Sequence, residues 1–175
     1  MEYAELLFPP QNPLQNYALV FLAGSLTVSS LSDLKRMAAQ ADFAEVWAAF
    51  VAAMFLADLY SGLTGQTATA QFLAKWLLVA AYAVLVTATR FAAISTMDVA
   101  AEAALLSALG PAYILAALVL TFIVNELLQP VLRRYGEAGA YPFLPTVLAV
   151  NVIMLAVIGA GGFEPYLGLG AAAAI

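Results

Sequence analysis

Neither cysteine nor histidine occurs in this 175-residue chain. Their absence excludes disulfides, thiolate zinc sites, cysteine or serine–histidine nucleophile systems and histidine-ligated metals. No metal and no cofactor is expected, so any chemistry has to rest on carboxylates, hydroxyls, amides and a few cations. Charge is scarce too. Asp, Glu, Lys and Arg make up 10% of the chain, against about a quarter in an average soluble domain. Six Lys and Arg face eleven Asp and Glu, and the net charge of −5 leaves no basic field for nucleic acid.

What remains is apolar: 65% of the residues are hydrophobic and the mean hydropathy is +0.95. A soluble core of this size has no room for that much apolar surface, which excludes an ordinary cytosolic enzyme and a disordered chain. The composition predicts an all-α, polytopic integral membrane protein whose solvent is the lipid bilayer. No repeat, low-complexity tract or linker divides residues 1–175, so a single membrane domain is expected.

A crossing helix needs about 20 mostly apolar residues. By that measure about six transmembrane helices are expected, at about 16–31, 43–60, 70–89, 92–109, 111–132 and 142–160. The first is not read as a signal peptide, because Glu2 and Glu5 precede it and no basic residue does. SGLTGQT breaks the chain after the second, and Arg90 closes the third. Gly110-Pro111 separates the weak fourth from the fifth, since glycine ends helices and proline opens them. Arg133-Arg134 closes the fifth, Pro142 to Pro145 opens the sixth, and Gly159 to Gly162 ends it. The tail FEPYLGLGAAAAI carries no assignable role. With six spans, Lys35, Arg36, Arg90, Arg133 and Arg134 fall on one face and only Lys75 does not. The positive-inside rule then makes those loops cytoplasmic and puts both termini outside.

Ionisable side chains inside or at the edge of a span are costly and draw attention as functional candidates. Asp33, Asp58, Asp98, Glu102 and Glu126 are in that position, with Asn125 and Asn151 as uncharged companions. Asp58 reads more simply as a solvated carboxylate at the outer end of its span. Glu126 can pair with a neighbouring helix or snorkel toward the basic face, and the two asparagines read as interhelical hydrogen-bonding groups. Asp33 and Asp98 stand out as a pair. On separate helices 65 positions apart, both are expected at the cytoplasmic edge. Taken singly, each also suits a helix-terminal cap or an interface charge. Glu102, one turn beyond Asp98, is a second partner in reach.

Asp33-Leu34-Lys35-Arg36 just after a short first span, and Asp98 opening a short fourth span, resemble the prepilin peptidases, most closely their archaeal preflagellin and prepilin branch. That family has a first Asp followed by Leu and a basic residue, as Asp33-Leu34-Lys35 does here. Its second Asp follows glycines and precedes a small-residue helix, here Ser95-Thr96-Met97-Asp98-Val99-Ala100 running on to Pro111. Its Pro-Phe-x-Pro is matched by Pro142-Phe143-Leu144-Pro145. The likeness covers most of the chain in short motifs. The glycines before the second Asp are replaced by Ser95, Thr96 and Met97, where a glycine would permit a tight turn and close approach of substrate. After Lys35-Arg36 this chain reads MAAQADF, without the family's usual Ile and nearby Pro or Asn. The cysteine-rich loop of the bacterial branch is absent, which argues against a methyltransferase activity.

The resemblance implies an aspartic peptidase with Asp33 and Asp98 as its catalytic pair. Its partner would be a prepilin-like precursor whose basic leader is cut from an apolar helix at the cytoplasmic face of the cell membrane. Asp42 and Glu45 can attract that leader, or simply satisfy the preference of a helix start for acidic residues. Two other classes stand beside the peptidase. One is a catalytically inactive relative serving as a scaffold or assembly subunit. The other is a proton or cation relay through Asp58, Asp98, Glu102 and Glu126.

Overall fold

A computed structural model describes residues 13–36, 41–89, 95–136 and 140–162. Among the described residues the chain is all helical. The helices are α1 (Pro13–Arg36), α2 (Ala41–Leu63), α3 (Thr69–Thr89), α4 (Thr96–Ser107), α5 (Pro111–Leu132) and α6 (Leu144–Gly159), with a 3-10 turn at Arg133–Tyr135 after α5. Glu2, Glu5, Arg90, the residues expected to open the fourth span before Ser95, and the tail after Gly162 lie outside the described residues.

Among the described residues four stretches are long and apolar enough to cross a bilayer: Leu14–Lys35, Asp42–Leu63, Thr69–Ala88 and Pro111–Tyr135. They correspond to the expected first, second, third and fifth spans. The other two helices are shorter. α6 has 16 residues and is largely apolar. α4 has 12, a rise of about 18 Å, well short of a hydrocarbon core of about 30 Å.

The burial pattern explains how α4 exists at that length. It packs against α1, α2, α3 and α6, and Asp98, Ala101, Glu102, Ala104, Leu105, Leu106 and Ser107 are all buried. The long helices wrap it and keep apolar side chains on their outer faces. Val20, Phe21, Leu56, Leu77, Phe122 and Leu127 are each more than half exposed. An apolar exterior around a core that holds carboxylates suits a lipid surrounding.

α1 and α6 form the most extensive helix pair. Leu19, Leu22 and Leu26 of α1 recur at helical spacing and are fully buried, as are Leu144, Val147, Val150 and Met154 of α6. The Asn151 side-chain amide donates to the Leu19 carbonyl at 3.1 Å, an interhelical bond that fixes the pair. On α2, fully buried Trp47 donates its indole N–H to Ser25 Oγ at 3.2 Å and joins that helix to α1.

The helix ends follow local chemistry. α5 starts at Pro111 behind Gly110. α6 ends where Gly161 and Gly162 take φ of 98° and 74°, and the Gly162 N–H reaches the Val157 carbonyl at 2.9 Å. That left-handed closure is cheap only for glycine.

Candidate functional site

The expected site residues lie at the end of α1 and the beginning of α4. Ser95 caps α4: its hydroxyl accepts from the Asp98 backbone N–H at 3.2 Å. The Asp98 carboxylate returns the bond, accepting from the Ser95 N–H at 2.9 Å and the Ser95 hydroxyl at 2.8 Å. This is a reciprocal capping box, and it aims Asp98 back over the helix start instead of out into solvent.

Asp33 is the last buried residue of a stripe on α1 that includes Ser29 and Ser30. Its carboxylate accepts the Leu144 backbone N–H at 3.4 Å across 111 positions of sequence. Leu144 is the first residue of α6, so its N–H has no partner within the helix, while Pro145 has no N–H and the Thr146 N–H donates to the Phe143 carbonyl at 2.8 Å. An anion at that terminus meets both an unpaired donor and the positive end of the helix dipole. Asp33 also lies within electrostatic reach of Asp98, and the two are each 8% exposed. Three stretches far apart in sequence thus converge at one end of the helical bundle: Asp33-Leu34-Lys35, Ser95 to Asp98, and Pro142 to Pro145.

Glu102, one turn after Asp98, is 2% exposed. The Tyr82 hydroxyl of α3 donates to its Oε2 at 2.7 Å. Thr121 of α5 stands beside it, with its hydroxyl outside strict hydrogen-bond geometry. Asp33, Asp98 and Glu102 therefore form one buried acidic region held by Ser95, Leu144 and Tyr82.

The remaining candidates lie elsewhere. Asp58 is not merely solvated. It pairs with Lys75 at 2.6 Å and accepts from the Trp76 indole N–H at 3.0 Å, linking α2 to α3. Glu126 is exposed on α5, and Asn125 accepts from the Tyr141 hydroxyl at 3.0 Å. Asp42 and Glu45 are exposed in the first turns of α2, with Asp42 at the acidic-favouring start. No group of three or more ionisable side chains among the described residues forms a metal site.

Sequence reasoning missed Tyr82, which reads as one more aromatic in an apolar span and carries no local signal. It also passed over Ser95 as a cap, although Ser-x-x-Asp before an apolar run is a capping-box pattern. Among the described residues the fold is all helical, with four helices of membrane-crossing length and with Asp33 and Asp98 both buried and within electrostatic reach at one end. Comparisons with protein-family models, curated proteins and solved structures found no match to this chain.

Proposed function

We propose that this chain is a membrane-embedded aspartic peptidase that cuts the basic leader from prepilin-like precursors at the cytoplasmic membrane face, as its resemblance to the prepilin peptidases implies. The observation that carries the reading is the convergence of Asp33, Asp98 and the start of α6, the three places where the resemblance lies. In this reading six helices cross or enter the bilayer, with basic loops cytoplasmic and both termini outside. α4 is the short one, enclosed by its neighbours.

The chemistry follows from two carboxylates that share a site. Like charges so close do not both ionise cheaply, so the pair holds one proton between them. The ionised member takes a proton from a bound water while the protonated member donates to the scissile carbonyl oxygen. The water oxygen then attacks the carbonyl carbon. Proton return to the leaving nitrogen breaks the peptide bond and leaves a new carboxyl and a new amine. Enclosure within the bundle is consistent with this mechanism, because hydrogen bonds and charges act more strongly away from bulk water.

A second reading has its own observation. Asp98 is satisfied by the Ser95 capping box and Asp33 by the α6 terminus, so both acids have structural work without catalysis. With serine, threonine and methionine in place of the family's glycines, the chain then serves as an inactive scaffold. Co-expression with prepilin-like precursors separates the two. The peptidase reading expects a shortened precursor with wild type and an intact one with Asp33→Asn or Asp98→Asn. The scaffold reading expects intact precursor in all three.

A further inference from the structure

We propose that Glu102 is a positioning residue for Asp98, acting through the hydrogen bond it accepts from Tyr82; its consequence for catalysis rests on the peptidase reading above. α4 is a 12-residue helix carrying Asp98 and Glu102 one turn apart, so the two side chains share a face. α4 meets α1, α2, α3 and α6 largely through apolar contacts, and such contacts are non-directional. The Tyr82 hydroxyl, anchored on α3, ties that face at 2.7 Å, and Asp98 lies within electrostatic reach of both Tyr82 and Glu102.

The leverage is geometric. A carboxyl about 6 Å from a helix axis moves about 1 Å for each 10° of rotation. A misplacement of about 1 Å at a reacting group costs about 10²-fold in rate. Apolar contacts of Ala101, Ala104 and Leu105 permit small sliding, whereas the Tyr82–Glu102 bond is directional. The bond therefore fixes the azimuth of α4 and, with it, the direction in which Asp98 meets Asp33. Glutamine in place of Glu102 keeps the acceptor and the shape, so position is preserved without the charge.

The test uses the full chain in lipid nanodiscs. Cleavage of a prepilin-like precursor is followed for wild type, Tyr82→Phe, Glu102→Ala and Glu102→Gln. In parallel, spin labels at Lys35→Cys and Thr96→Cys, clean because the chain has no cysteine, report the distance between the end of α1 and the start of α4. Expected are a kcat about 10-fold lower for Tyr82→Phe and about 10²-fold lower for Glu102→Ala, with KM unchanged and Glu102→Gln within about threefold of wild type. The label distances should broaden or shift in Tyr82→Phe and Glu102→Ala and return in Glu102→Gln. Unchanged distances in Tyr82→Phe and Glu102→Ala overturn the proposal, as does a Glu102→Gln variant as slow as Glu102→Ala. If wild type cleaves nothing, the peptidase reading fails, and the distance measurements still decide whether Glu102 positions Asp98.

Discussion

Among the described residues, several buried polar side chains have specific partners, and those partners sort structural from chemical work. Lys75 and Asp58 pair where α2 and α3 approach each other, with the Lys75 side chain 7% exposed and that of Asp58 25%. Removing one member strands the other. Lys75→Met should therefore destabilise the fold by about 1–3 kcal/mol, below the usual range for fully buried pairs because Asp58 keeps some contact with its surroundings. The double variant Asp58→Leu/Lys75→Met should recover most of that loss, as unfolding in mixed detergent micelles would record. The pairing was legible in retrospect, since Asp58 lies five residues before the end of α2 and Lys75 six residues after the start of α3. Composition alone left Lys75 as an exception to the charge bias and Asp58 as a surface group. Ser95 carries a second test at this scale. Ser95→Ala removes the cap and should cost about 1 kcal/mol, whereas Ser95→Gly should cost only a few tenths. Thermal unfolding in detergent checks both, and equal losses would mean that the capping box contributes little to α4.

Among the elements, the long helices were readable from sequence because length and apolarity alone decide them. The first, second, third and fifth expected spans became α1, α2, α3 and α5 within a few residues. The Gly110-Pro111 boundary and the glycine-rich end of α6 also appeared where backbone chemistry places them. α4 was the element that sequence described least well. Its apolar content is diluted by Asp98 and Glu102, and a run of alanines fits either a crossing helix or a buried one. Only the surrounding helices decide between these: α1, α2, α3 and α6 cover it, so 12 residues suffice where a lipid-facing helix needs about 20. The site follows the same division. The two aspartates were singled out together from sequence, and the structure brings them within electrostatic reach. The contact between Asp33 and the first N–H of α6 was not, because it depends on the register of α1 against α6 across 111 positions.

For the whole molecule, the outward apolar surface and the inward carboxylates among the described residues are compatible with a membrane protein. Its proposed orientation is testable because the chain lacks cysteine, so each introduced thiol is the only one present. Lys35→Cys and Arg134→Cys should be labelled by a membrane-impermeant maleimide only from the cytoplasmic side, and Gln66→Cys only from the outside. The opposite pattern would invert the topology and remove the site from the face where leaders are cut. The central claim is that Asp33 and Asp98 act together on a peptide bond. Its most direct measurement is the cleavage rate of a prepilin-like precursor by the purified protein in nanodiscs, comparing wild type with Asp33→Asn and Asp98→Asn. Asparagine retains the shape and an acceptor oxygen, so both variants should stay folded. The account predicts precursor cut at its leader boundary by wild type, with each variant slower by at least about 10²-fold. Variants that cleave as fast as wild type, or a folded wild type that leaves every precursor whole, would contradict it.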